Sequence, residues 1–209
     1  MTELYRSEYF VWTGDPARIK GIINPFYSFL DKAYLNLCDD FGFDLEANLP
    51  IKVTIDNSDG CTGGVAGRTG GGELGYCAGV WADNHWCSGI LVHELVNLFT
   101  GEGISGGWPT HWWASLPRAL PRRSPFPVLI SIEVLRQLGK TAQAMERDRI
   151  FTGDVWYGYF KKLHKAKGWK LWQALFAYLR EIDIDLSKIP EPQKSSMLMS
   201  LISFFCLAV

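Results

Sequence analysis

The chain has 209 residues, 47% of them hydrophobic, and its 21 basic and 22 acidic side chains leave a formal net charge of -1. That length and apolar content suffice to bury a core in one domain. The near-zero charge provides no clustered basic surface of the kind that holds nucleic acid phosphates. Five cysteines without a CxxC pair fit neither a dense disulfide framework nor a cysteine zinc cluster. One bridge, Cys61 to Cys77 across a glycine-rich region, stays open.

The opening residues MTELYRSEYF hold no basic stretch leading into an apolar one, so no signal peptide is read there. A cytoplasmic location and a secreted one with its leader removed both stay open. Apolar residues at helical spacing, Ile22, Ile23, Phe26, Phe29, Leu30, Tyr34 and Leu37, predict a helix from about Pro16 to Cys38, with Pro25 kinking it or marking its true start. Pro50 to Asp56, PIKVTID, alternates and is rich in β-branched residues, which predicts a strand. Gly60 to Gly79 is too rich in glycine for a helix. No Gly-Lys-Ser/Thr follows it and no dinucleotide fingerprint surrounds it, so it reads as a bulged hairpin. The second strand of that hairpin, Gly75 to Trp81, is expected to run close to a ligand or another backbone.

Next comes a short apolar helix, Ser88 to Thr100, SGILVHELVNLFT. A loop-rich passage with a tryptophan cluster follows Gly101 and is closed by proline. Beyond it, helices are expected over Val128 to Leu138, Asp154 to Lys165, Lys170 to Ile182 and Gln193 to Leu207, separated by turn signals at Gly139, Gly168 and Pro190 to Pro192. The basic runs, Arg118 with Arg122 and Arg123, and Lys161, Lys162, Lys165, Lys167 and Lys170, are read as solvated faces, and His164 among them as solvated too. The last apolar run, Met197 to Val209, falls short of the roughly 20 residues that span a bilayer and reads as a buried final helix. It ends without a cap, as a helix that continues would. The fold class expected is α+β: a small twisted mixed sheet with a glycine-rich edge strand and an active-site helix, followed by a mostly helical C-terminal lobe. We read residues 1–209 as one domain, with an α/β part over 1–87 and the site helix and helical lobe over 88–209.

The central helix carries the chemistry. Its only polar stripe is His93, Glu94 and Asn97. On a helix, residues four apart share a face, so His93 and Asn97 project together with Glu94 beside them. The pattern HExxN differs by one residue from HExxH, in which two histidines on one helical face bind zinc and the glutamate acts as general base. A catalytic zinc takes three protein ligands and keeps one position open. His111, within WPTHWWAS and fourteen residues beyond Asn97, is the candidate third ligand.

The pairing of HELVN with a downstream W-x-x-(ligand)-x-x-A segment resembles the gluzincin zinc peptidases, nearest the basic-secretory-protein-like group, over roughly Ile51 to Ser115. The glycine-rich strand before the helix is similar to the edge strand that pairs with extended peptide substrates in those enzymes. The resemblance implies peptide-bond hydrolysis with zinc as cofactor and a peptide or protein as substrate. It assigns His93 to the first ligand position, Glu94 to the general base and His111 to the third ligand position, where the family usually has glutamate. Asn97 stands at the second ligand position, and an amide oxygen is a weaker zinc donor than imidazole, so a site that holds the metal weakly and one with reduced or lost activity both stay open. Gly79, Trp81, Trp108 and Trp112 are candidate substrate contacts. Asp83 is a candidate to orient a ligand histidine, and Glu102 and Glu133 are spare carboxylates.

Other readings account for the same residues. His93, Glu94 and Asn97 satisfy one another if they merely hydrogen-bond inside the core. A non-catalytic module would use the aromatic residues to bind peptide or carbohydrate. A cysteine hydrolase would use Cys87, placed before the helix where the dipole lowers a thiol pKa, with His85, His93 or His111 as base. The opposing reading of Cys87 is a small buried hydrophobe.

Overall fold

The computed structural model describes residues 1–19, 21–41, 49–56, 67–70, 73–78, 84–98, 125–153, 155–181 and 191–208. The fold is mixed α/β, with a small mixed sheet and a mostly helical C-terminal part, as the sequence predicts. Two strands that sequence periodicity did not reveal open the chain. They are β1 (Thr2–Arg6) and β2 (Phe10–Gly14), paired antiparallel. Ser7 stabilises their turn: its Oγ accepts the backbone N–H groups of Tyr9 and Phe10 and donates to Asp31 Oδ1 at 2.7 Å.

Helix α1 (Asn24–Phe41) carries the chain from β2 to β3 (Ile51–Asp56), which lies parallel to β2. A parallel neighbour needs such a crossover. Pro25 falls in the first helical turn, where its missing N–H costs nothing; it marks the helix start, eight residues after the expected one. The glycine-rich region forms β4 (Gly67–Gly70) and β5 (Glu73–Cys77), antiparallel to each other. The second strand of this hairpin therefore begins two residues before Gly75. The sheet runs β1-β2-β3-β5-β4, with β3 and β5 parallel and β4 at the edge.

Register explains why one face of the sheet is buried. Phe10 pairs with Ile51, Trp12 with Val53, Val53 with Leu74 and Ile55 with Tyr76. Partners across a ladder share a face, so these apolar residues form one surface, and all are buried. Helix α1 covers it with Tyr27 and Tyr34, whose rings contact Trp12 and Phe10. The opposite face carries the exposed pair Lys52 and Glu73, whose Nζ and Oε1 lie 2.9 Å apart.

Helix α2 (Asn84–Asn97) follows β5 and packs against α1, α3, β4 and β5. Its start lies four residues ahead of the expected Ser88. The C-terminal lobe comprises α3 (Pro125–Gln137), α4 (Thr141–Phe151), α5 (Val155–Lys167), α6 (Trp169–Glu181) and α7 (Glu191–Ala208). Helix α3 ends in a Schellman motif: Gly139 has φ +74°, its N–H reaches Arg136 O at 3.1 Å, and the Lys140 N–H reaches Leu135 O at 2.8 Å. Gly168, with φ +62°, closes α5 through a bond from its N–H to His164 O at 2.7 Å.

Helix α4 has no counterpart in the sequence reading, because Ala144 is its only fully buried residue and it lacks an apolar stripe. Polar contacts tie it down instead. Asp148 accepts Tyr157 Oη and, at 2.7 and 2.8 Å, Lys161 Nζ, and it lies 3.5 Å from Arg136 Nη2; Arg136 also pairs with Glu133. Burial alone would raise the Asp148 pKa, but the hydrogen bonds from Lys161 and Tyr157 and the charges of Lys161 and Arg136 outweigh it and hold the carboxyl below its ordinary value. Lys161 is thus committed to Asp148 rather than simply solvated, and Glu133 to Arg136.

His164 is a second correction. It is half-buried, accepts Trp172 Nε1–H on Nδ1 at 2.9 Å and meets the edge of Trp169. That acceptor role requires the neutral ring with its proton on Nε2. Burial is the main cause that lowers its pKa from the ordinary 6.5. Above that value both folded and unfolded chains hold the ring neutral, and the contribution is complete. As pH falls through it, the unfolded chain takes up the proton first and stability is lost. The His164 ring is expected to titrate below 6.5 by NMR, and Trp172→Phe, which removes the donor, to move the midpoint upward; a midpoint at or above 6.5 in the parent protein refutes the assignment.

The final helix is only partly buried. Ile202 is enclosed, whereas Phe204 and Leu207 are exposed, which corrects the expectation of a buried last helix. Among the described residues, no helix is long and apolar enough to cross a membrane.

Candidate functional site

Helix α2 is apolar on nearly every side because it has neighbours on nearly every side. Leu91, Val92, Leu95 and Val96 are all buried, as is Leu98 just past its end, while His93 and Glu94 are the half-buried polar residues between them. Burying a polar side chain costs about 1–3 kcal/mol unless it finds partners, and neither residue is without an interaction. Asn97 closes the helix, four residues after His93 as the spacing requires; its side chain lies outside the described set.

Two residues that the sequence did not single out bear on this helix. Tyr76, fully enclosed on β5, donates its hydroxyl to the Leu91 carbonyl at 3.1 Å. Burial first, and the negative charge of Glu94 second, push its phenol well above the ordinary range, so it stays un-ionised. Arg147 reaches over from α4. A Cβ placed at Gly89 would stand 2.8 Å from Arg147 Cδ and 2.9 Å from Nη1, so the missing side chain of Gly89 makes room for that arginine one turn before His93. The alternation of ELGYC marks Tyr76 as a core residue without hinting at its hydroxyl partner, and nothing in the sequence marks Arg147.

The edge strand β4 packs against α2. Antiparallel to β5 and last in the sheet, with no strand beyond it among the described residues, it combines main-chain groups at a sheet edge with proximity to the helix that carries His93 and Glu94. Gly79, Trp81, Asp83, Glu102, Trp108, His111 and Trp112 lie outside the described residues. His85 and Cys87 belong to the first turn of α2 rather than to a segment before it, and their side chains are likewise outside. Cys77 is disulfide-bonded, whereas Cys38 and Cys206 are not part of a disulfide.

A catalytic zinc takes three protein ligands. Among the described residues no group of three His, Cys, Asp or Glu side chains converges as a metal site. His93 and Glu94 contribute one imidazole and one carboxylate, so the described residues alone do not fit the ion. No protein-family model matches this chain, and neither a curated protein nor a solved structure matches it.

Proposed function

We propose that this chain is a metallopeptidase-like protein that takes an extended peptide along β4 and presents it to His93 and Glu94 on α2. The observation that carries the reading is the packing of the antiparallel edge strand β4 on the HELVN helix. A peptide adding to a sheet edge gains main-chain hydrogen bonds whatever its sequence, and the same contact brings it beside the helix that carries the two polar residues. In this reading His93, Asn97 and His111 are the zinc ligands, and zinc, when bound, supplies Lewis-acid polarisation of the scissile carbonyl. Glu94 is the general base, accepting the proton of the attacking water and passing it to the leaving amine. Half-burial is compatible with that role, because a carboxylate wholly sealed off could not reach a substrate to exchange protons with it.

The test is elemental analysis of the purified chain together with hydrolysis of a mixed peptide library by the parent and by Glu94→Gln. About one zinc per chain is expected, with hydrolysis falling at least about 100-fold in the variant, as loss of a general base implies. Failure to take up zinc, or hydrolysis indifferent to Glu94, overturns the reading. Peptide binding without hydrolysis would instead place the chain among non-catalytic modules that use the same strand edge.

A further inference from the structure

Resting on that reading of Glu94, we infer that Tyr76 is a positioning residue: through its hydroxyl bond to the Leu91 carbonyl it fixes the turn of α2 from which Glu94 projects.

The geometry is a relay of packed rings ending in one directed bond. Tyr27 on α1 meets Trp12 edge-on, with centroids 5.1 Å apart, and Trp12 stacks on Tyr76 at 6.3 Å and 22°. Trp12 and Tyr76 are almost completely excluded from solvent. Side chains so enclosed have little rotameric freedom, so the phenol is held by the sheet rather than by the helix it touches. Its hydroxyl then donates to Leu91 O at 3.1 Å. Leu91 stands three residues before Glu94, within the same turn, so a helix tied at Leu91 is limited in rotation about its axis and in sliding along it at the residue that matters. An apolar helix packed only by aliphatic side chains would have weaker rotational register, since dispersion contacts are individually small and non-directional.

The phenol also remains a donor. With burial and the Glu94 charge both raising its pKa, it does not ionise over the working range of a peptidase. Its proton therefore remains available for the Leu91 bond.

Catalysis depends on placement at this scale, since a shift of about 1 Å costs on the order of 100-fold. Removing the hydroxyl while keeping the ring should therefore lower turnover more than substrate binding. The experiment compares the parent, Tyr76→Phe, Glu94→Gln and, as a control, Tyr157→Phe in hydrolysis of the same peptide library. Tyr157→Phe also removes a buried phenol hydroxyl, the donor to Asp148, but in the helical lobe. With thermal unfolding followed in parallel, Tyr76→Phe is expected to reduce kcat about tenfold or more with KM changed less than about twofold. Tyr157→Phe is expected to be destabilised to a similar degree with kcat unchanged.

Hydrolysis that depends on Glu94 but has the same kcat in Tyr76→Phe overturns the positioning role and leaves the peptidase reading standing. An equal fall of kcat in both tyrosine variants also overturns it, because the effect would then be one of general stability. Absence of Glu94-dependent hydrolysis in the parent overturns the peptidase reading, and the role of Tyr76 falls with it.

Discussion

Replacing Asn97 by histidine is expected to raise the zinc affinity of the chain by at least about tenfold. Asn97 closes α2 four residues after His93, the separation at which two side chains of one helix grip the same ion. An amide oxygen is a neutral, hard donor with modest affinity for zinc, whereas an imidazole nitrogen is among its preferred ligands. Removing groups that only orient a zinc ligand typically costs about 10- to 100-fold in affinity, so converting a poor direct donor into a good one should gain no less. Competition with a chromophoric chelator measures the change in the parent and in Asn97→His without reference to activity. Equal affinities would mean that position 97 does not face the ion, and the alignment of HELVN with the zinc-peptidase helix would be lost.

The second large effect concerns stability. Trp12→Ala is expected to lower the unfolding free energy by about 3–5 kcal/mol. The side chain is wholly enclosed at the centre of the buried sheet face, between Tyr27 of α1 and Tyr76 of β5. Its removal leaves a cavity where strand and helix meet. Total stabilities of domains lie near 5–15 kcal/mol, so this one substitution removes a large part of the margin. Val11, its neighbour on the same strand, points to the opposite face and is only half-buried, and Val11→Ala should cost about 1 kcal/mol. Denaturant midpoints for the two variants give the comparison. Similar losses would contradict the assignment of one face of β2 to the core.

Elements with a strong apolar period were legible in the sequence. The PIKVTID strand, the central helix and the helices numbered α3, α5, α6 and α7 all appear within a few residues of their expected places, and the first helix appears with its start moved eight residues on to Asn24, because each buries a face whose spacing is set by backbone geometry. Strand β2 escaped notice although it buries an alternating face, because its five residues, with apolar Val11 between Phe10 and Trp12, are too few to show the period; the other elements that escaped notice lack such a face. Strand β1 is mostly exposed at its sheet edge, and α4 is held by Asp148 and its partners rather than by apolar residues. His164 was misjudged because its lysine neighbours in sequence are not its neighbours in space. A tryptophan eight residues on supplies the contact that decides its state.

By itself, the sequence determined which residues the candidate site helix presents: an i, i+4 pair with a glutamate beside it follows from 3.6 residues per turn and needs no other part of the chain. It also determined that a glycine-rich strand precedes that helix. Only the tertiary structure decided that the edge is β4, packed against the helix, while β5, the strand expected to run close to a ligand, is paired on both sides; that Tyr76 ties the helix to β5; and that Arg147 occupies the space left by Gly89. Those contacts join segments through strand order and packing between elements far apart in the chain. Local periodicity carries information about which face an element buries and none about which partner it is buried against.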